Sequence, residues 1–324
     1  MKRLARVLWL YVAAAAFGQQ GDQPRISRWR EPLLWVDPGA VEKLDFAAGP
    51  GGRAGTPAPP FSFVEELSGG THPKVKVRDR RGRTWAVKWG REVKPEIVAG
   101  RIVWACGYFA YATYFVPRGK IERVAPNLGR AGKYVAPDGT FTEARFELWD
   151  EGYLPGRTWS WDDNPFVGTR QLAGLKILVM LTSNWDDKDA RNVREGSNTV
   201  ISEATLKGRP VLRYLVADWG SSFGEWGAPF FYRDIWNCAP YTTQTGRFAA
   251  LRDGTIEWGF RGSRNVSENV TRADVAWVMR WLGRISDRQV RQALEYSGAP
   301  PDEVACFAAA LRTRIAKLQE ISKE

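Results

Sequence analysis

Between Phe63 and Trp89 apolar and polar residues alternate, through Val75-Lys76-Val77-Arg78 and then Thr84 to Trp89, with turns at Gly69-Gly70 and Arg81-Gly82. A period of two predicts a small β-unit. From Pro95 the period lengthens: Val98, Ile102, Ala105 and Phe109 fall on one helical face, and proline is favoured at a first helical position. Ala112 to Pro117 and Phe141 to Leu148 read as further strands, separated by polar turns from Lys120 to Gly139. Thr169 to Thr182 is apolar nearly all round, which predicts a helix inside a core. Val193 to Ser202 and Val211 to Ala217 read as strands joined across Lys207-Gly208. Gly220 to Asn265 reads as Gly-rich, aromatic and irregular, and segments of that length are often functional. Thr271 to Gly283, Asp287 to Tyr296 and Pro301 to Ile321 predict three amphipathic helices, with Ser286 capping the second and Pro301 opening the third.

The ends read differently. Lys2, Arg3 and Arg6 precede the short apolar run Val7 to Phe17, so residues 1–18 read as a secretory signal and not a membrane span. Residues 19–60, which include GPGGRAGTPAPP, read as an N-terminal extension, and the ordered domain is expected to start near Phe61. Residues 61–148 are then β-rich and residues 149–324 mainly helical, which gives an α+β chain.

Composition narrows the chemistry. A net charge of +11 over 324 residues favours anionic partners, although the basic residues are scattered. One histidine, His72, and three cysteines without a Cys-x-x-Cys spacing leave no pattern for a zinc site or a His-based triad. In an oxidising compartment one pair among Cys106, Cys238 and Cys306 can bridge. Catalysis would run on carboxylates, lysine or bound metal.

The carboxylates concentrate between Leu181 and Gly224. Asp186, Asp187 and Lys188 follow the apolar helix, Asn192 comes a few residues later, and Asp218 ends an apolar strand before Trp219-Gly220. Acids and an amide at element ends suit a Mg-nucleotide site: one acid handles the attacking hydroxyl, the others hold metal against phosphates. Upstream, Ser68-Gly69-Gly70-Thr71 offers backbone N–H groups that can cover phosphates. Lys88, inside the apolar strand Trp85-Ala86-Val87, needs an anionic partner, for which Glu96 is a candidate.

In this order the features resemble the protein-kinase-like superfamily, in its atypical branch of HipA-type, phosphatidylinositol-kinase-type and secretory-pathway kinases. They also resemble exported bacterial proteins carrying the phrases GTxPK, VKxG, NWDxK and DxGxxFG, here Gly70 to Lys74, Val87 to Gly90, Asn184 to Lys188 and Asp218 to Gly224. The resemblance spans roughly Phe61 to Leu318. It implies a two-lobed protein-kinase-like fold, with a small β-rich N-lobe (61–148) and a mainly helical C-lobe (149–324). It further implies that Ser68, Gly69, Gly70 and Thr71 cover the phosphates of ATP or another nucleotide, with Lys74 nearby. Lys88 would neutralise the α/β-phosphates and Glu96 would orient it. Asp186 or Asp187 would be the catalytic-loop acid, with Lys188 beside it. Asn192 and Asp218 would bind Mg or Mn.

Two functions follow. One is an exported phosphotransferase whose acceptor is an unknown protein, lipid or glycan. The other is an inactive kinase-fold protein of the cell envelope, whose Trp-rich segments (149–161 and 219–241) bind an anionic or glycan partner. No nucleic-acid-binding module is visible, which disfavours nucleic acid as a partner.

Overall fold

Val75, Val77, Trp85 and Val87 point one way from their strands and Lys74, Lys76, Ala86 and Lys88 the other, as a period of two requires. The first set fills a barrel. In the computed structural model, which describes residues 30–69, 72–154, 157–186, 198–225, 234–260 and 264–324, the barrel strands are β2 (Phe61–Leu67), β3 (Lys74–Asp79), β4 (Thr84–Lys88), β5 (Thr113–Glu122) and β6 (Thr140–Leu148). Their order is β2-β3-β4-β6-β5, closed by a short parallel pairing of β2 with β5. Closure leaves no open sheet edge. Phe61, Trp85, Trp89, Phe141 and Phe146 pack inside. Helix α1 (Val93–Ala105) connects β4 to β5.

The stretch expected to precede the ordered domain belongs to it from Glu31 onward. Strand β1 (Glu31–Leu33) pairs in parallel with β8 (Arg209–Val216), the centre of a three-stranded sheet completed by β7 (Thr199–Leu206). Leu34, Val41 and Phe46 are buried. Trp35 donates through Nε1 to Cys106 O at 2.7 Å, and the buried Arg101 of α1 reaches Ala47 O at 2.9 Å. Composition misleads here because glycine and proline signal turns, whereas the few apolar residues between them supply the burial. Glu31–Glu324 form one compact unit.

Asp79 fixes the hairpin between β3 and β4. Its Oδ1 accepts from the N–H groups of Arg81 (2.9 Å) and Arg83 (3.0 Å), and its Oδ2 from Arg83 Nη2 (2.8 Å), Trp85 Nε1 (3.1 Å) and Ala58 N (3.3 Å). Arg81 and Arg83 in turn donate to the carbonyls of Ala54, Gly55 and Thr56, so the basic turn clasps the preceding segment. Burial pushes the Asp79 carboxyl up, but the Arg83 guanidinium and the N–H donors outweigh it and hold the pKa below the ordinary value. A depressed folded pKa gives stability that is complete above the unfolded value, about 3.9, and is lost as pH falls through the folded one. Asp79→Asn is therefore expected to cost about 2–3 kcal/mol at pH 7 and clearly less at pH 3, read from urea unfolding at both pH values. An equal cost at both would show that the charge is not what holds the hairpin.

The remainder is mainly helical: α2 (Arg170–Thr182), α3 (Cys238–Thr245), α4 (Arg264–Ser267), α5 (Arg272–Leu282), α6 (Asp287–Glu295) and α7 (Pro301–Ile321). Thr169 caps α2, and capping boxes open α5 (Thr271 with Asp274) and α6 (Ser286 with Gln289). The segment read as irregular, Gly220 to Asn265, contains α3 and a hairpin of β9 (Ala249–Arg252) with β10 (Thr255–Trp258). Both elements are short, and short elements carry too few repeats to show a period. A disulfide joins Cys238 to Cys306 and so ties α3 to α7, while Cys106 is free and buried. Among the described residues no helix is long and apolar enough to cross a membrane.

Candidate functional site

The outward row of the barrel makes the site. The register sets Lys74 opposite Lys88 and Lys88 opposite Arg145, so three cations stand side by side on β3, β4 and β6. Like charges in adjacent strands repel and require anions between them. Those anions come from the start of α1 and the end of β8. Lys88 Nζ lies 2.7 Å from Glu96 Oε1 and 3.9 Å from Asp218 Oδ2, and it also contacts Glu92. Arg145 contacts Glu96 and lies 3.0 Å from Glu147. The side chains of Lys88, Glu96 and Arg145 are each 4% exposed, whereas Asp218 keeps 33% of its side chain open to the cleft.

Burial sets the electrostatics. It pushes the Glu96 carboxyl up, Asp218 and Glu92 add to that, and Arg145 and Lys88 only partly offset them, leaving the pKa near 8. Burial also raises Asp218, but Lys88, a hydrogen bond from Glu96 and the N–H of Gly220 hold it well below the carboxylate range. Lys88 is lowered by burial but raised further by Asp218, Glu96 and Glu92, so it stays charged. The carboxylates thus outnumber the cations in contact with them. The arrangement fits a divalent ion: the oxygens of Glu92, Glu96 and Asp218 lie within 4.8 Å of one another, and hard oxygen donors suit Mg or Mn. Such an ion would have to share these carboxylates with the Lys88 ammonium.

A second acid-bearing segment is stitched alongside. Helix α2 ends at Ser183, which adopts a left-handed conformation (φ 54°) and turns the chain into Asn184-Trp185-Asp186. Asn184 Nδ2 donates to Asp218 O at 3.0 Å, Trp185 N to Ser221 O at 3.2 Å, and Phe223 N to Thr182 O at 2.8 Å. These bonds lay the segments carrying Asp186 and Asp218 side by side. Gly220 allows the close fit to α1, because a Cβ there would lie 2.7 Å from Glu92 Cβ and Cγ. Gly220→Ala is expected to displace Glu92, costing about 1–3 kcal/mol in stability and weakening Mn²⁺ binding, read by urea unfolding and Mn²⁺ titration. Unchanged stability and Mn²⁺ affinity would show that this contact can relax.

Lys74, Lys88, Glu96, Arg145, Glu147, Asp150 and Asp218 line one cleft of about 480 Å³, together with Leu67, Ala86, Trp149 and Val200. Ser68 and Gly69 reach its rim. Gly70, Thr71, Asp187, Lys188 and Asn192 lie outside the described residues, so of the two candidate loop acids only Asp186 is placed.

Sequence reasoning missed Glu92, Arg145 and Glu147, and named Asn184 only within the NWDxK phrase. Glu92 left a signal, since it stands four residues before Glu96, one helical turn. Arg145 and Glu147 left none, because they occupy the polar alternation of β6 and read as solvent-facing. His72, the single histidine, lies 2.9 Å from Glu92. Among the described residues of the aromatic segments expected to form a binding surface, Trp159, Trp161, Trp219 and Tyr241 are buried. Trp149, half-buried, lines the cleft and lies under Lys76 Nζ, 4.0 Å from its ring centroid.

No protein-family model matches the chain, and no curated protein matches it. Solved structures similar to it include that of the Golgi casein kinase (12% identity, TM-score 0.40, covering 89% of this chain and 77% of that chain). The Golgi casein kinase with Mn/ADP bound matches at 11% identity and TM-score 0.40, over 82% of this chain and 73% of that one. The Rio2 kinase–ADP/Mg²⁺–phosphoaspartate complex from Chaetomium thermophilum matches at 14% identity and TM-score 0.32, over 80% and 71%. Likenesses of this size assign no residue a role, and the functional case rests on the geometry of the cleft.

Proposed function

We propose that the protein is an exported, kinase-like phosphotransferase that uses a metal-bound nucleotide. The observation that carries this reading is the buried Lys88–Glu96 pair, 2.7 Å apart, with the partly open Asp218 carboxylate 3.9 Å from the same ammonium on the floor of a cleft. A structural ion pair would not need a third, exposed acid; a phosphate-binding lysine beside a metal-binding acid does.

In this reading a nucleotide lays its base against Leu67, Ala86 and Val200 and its phosphates beside Lys74, Lys88 and Asp218. Lys88, held by Glu96 and Glu92, neutralises phosphate oxygens, and Lys74 stands beside it. Asp218, with Glu92 or Glu96, would hold Mg or Mn, which when bound neutralises charge on the phosphates. Asp186 or Asp187, which follow α2 in the sequence, would orient the acceptor hydroxyl. The acceptor itself, whether protein, lipid or glycan, leaves no signature in the described residues. Export rests on the basic-then-apolar N-terminus and fits the Cys238–Cys306 disulfide, since such bonds persist outside the reducing cytoplasm.

The test is the melting temperature of the mature chain with ATP and Mg²⁺ or Mn²⁺, each alone and together, followed by a search for transfer of labelled γ-phosphate. A shift that requires both supports the reading. A shift without any transfer, including to water, would make the chain a nucleotide-binding protein without catalysis. No shift under any pair would remove the nucleotide site.

A further inference from the structure

Each carboxylate of the cluster has one oxygen taken by a donor outside it. Asp218 Oδ1 accepts from the N–H of Gly220 at 2.9 Å, and Glu96 Oε2 meets Arg145. Glu92 Oε1 accepts from His72 Nδ1 at 2.9 Å. The other oxygens, Asp218 Oδ2, Glu96 Oε1 and Glu92 Oε2, are the ones that face the Lys88 ammonium. An ion sharing these carboxylates with Lys88 would meet that same set.

Two of the three donors are a backbone amide and a buried guanidinium that also serves Glu147. The third is the single histidine of the chain. Its place is fixed by the backbone on either side of β3 and β4: Pro73 O accepts from Trp89 N at 3.4 Å, and Lys74 stands opposite Lys88. The ring lies along Gly90, where a Cβ would stand 3.5 Å from His72 Cδ2. A carboxylate only accepts hydrogen bonds, so Nδ1 carries the hydrogen of this contact. Gly220 packs on the Glu92 side chain too closely to admit a Cβ, so the glutamate is confined by packing as well as by its two polar partners.

A carboxylate with one oxygen committed offers a metal only the other. Single oxygens from three carboxylates suit a small octahedral ion such as Mg²⁺ or Mn²⁺, which fills its remaining positions with water or phosphate oxygens. Ca²⁺ is larger, takes about six to eight oxygens and often uses both oxygens of one carboxylate. We propose that His72 is a positioning residue: by occupying Glu92 Oε1 it limits that carboxylate to one metal-facing oxygen and so sets the site against calcium. The proposal rests on the metal-binding part of the reading above and assigns a role to a side chain that touches neither metal nor nucleotide in it. The loss of one hydrogen bond to a charged acceptor corresponds to about 10- to 100-fold in an equilibrium constant.

The experiment titrates Mn²⁺ and Ca²⁺, each alone, into the wild-type chain, His72→Ala and His72→Asn by calorimetry, with urea unfolding of each alongside. The asparagine amide nitrogen stands as many bonds from the backbone as Nδ1 and can replace the donor. Wild type is expected to bind Mn²⁺ at least about tenfold more tightly than Ca²⁺. His72→Ala is expected to narrow that gap to about threefold or less, chiefly by tightening Ca²⁺ as Glu92 turns both oxygens to it, and His72→Asn to restore it to within about threefold of wild type. A gap unchanged in His72→Ala overturns the proposal and leaves the metal site standing, even if the variant is less stable, because a merely structural histidine moves stability alone. A gap that His72→Asn fails to restore overturns the role of the hydrogen bond, and wild type that binds Ca²⁺ as tightly as Mn²⁺ overturns the selectivity. Binding of neither ion by wild type removes the metal site, and the proposal with it. Should the alanine variant not fold, His72→Leu, which keeps bulk without a donor, is read in the same way.

Discussion

Asp218→Asn is expected to abolish metal-dependent nucleotide binding and to cost the ligand-free protein about 1–3 kcal/mol. The two halves of this expectation have different origins. A ligand present at a hundred times its Kd adds about 2.7 kcal/mol to apparent stability, worth roughly 5–10 °C in melting temperature for a chain of this size. Asp218 offers the most open carboxylate of the cluster, 33% exposed, so its loss removes the ligand best able to reach a metal on the phosphates. Without ligand the same carboxylate, although burial raises its pKa, is held well below the ordinary range by Lys88, Glu96 and the Gly220 N–H, so its charge also contributes to the fold. Lys88 keeps Glu92 and Glu96 as partners in the variant. That limits the ligand-free loss to about 1–3 kcal/mol in equivalent stability. Thermal unfolding with and without ATP and Mn²⁺ reads both halves. A variant that keeps the full metal-dependent shift would move the metal elsewhere.

Arg314→Met is expected to show a different pattern, a larger loss of stability with or without ligand. Arg314 lies fully buried on α7, and no carboxylate among the described residues pairs with it. Nη1 donates to Leu181 O at 2.9 Å and Ser183 Oγ at 2.8 Å, Nη2 to Tyr241 O at 2.9 Å, and Nε to Thr245 Oγ1 at 2.8 Å. The guanidinium carbon lies 3.7 Å from the Tyr241 ring centroid. Burial lowers its pKa to about 10, still far above neutrality, so the group remains charged. It thus sits at the C-terminal end of α2, where unpaired carbonyls and the helix dipole favour a cation. Methionine fills much of the volume but removes every one of these donors, so that Leu181 O keeps the Tyr241 hydroxyl and Tyr241 O the Thr245 hydroxyl while the charged fork that joined them is lost, an expected cost of about 3–5 kcal/mol, or roughly 10 °C. Arg314→Lys, which keeps the charge but not the fork of donors, should recover only part of it. A loss below about 1 kcal/mol for Arg314→Met would mean that water replaces the lost donors.

Periodicity made individual elements legible. Thr169 to Thr182 read as a buried helix and is one, because a continuous apolar surface has no other low-energy place. The helices near the C-terminus were equally plain, since Ser286 and Pro301 mark their starts chemically. Lys88 stood out because a cation inside an apolar strand violates the ordinary cost of burial. The Cys238–Cys306 pairing could not be read, because spacing along the chain does not say which thiols meet.

By itself, then, the sequence determined what its local physics encodes: the barrel's alternating strands, the apolar helix, the caps, and the segments that carry Lys88, Glu96, Asp186 and Asp218. Only the tertiary structure decided how charge is shared among them. Strand register placed Arg145 beside Lys88 and Glu147 beside Ala86, and the approach of α1 to Gly220 brought Glu92 and Glu96 to Asp218. Chain folding also brought Arg314 to the end of α2, more than a hundred residues away in sequence. A polar residue in an alternating strand looks the same whether water or a buried carboxylate faces it. The difference lies in what packs over that face, which a pattern of period two does not contain.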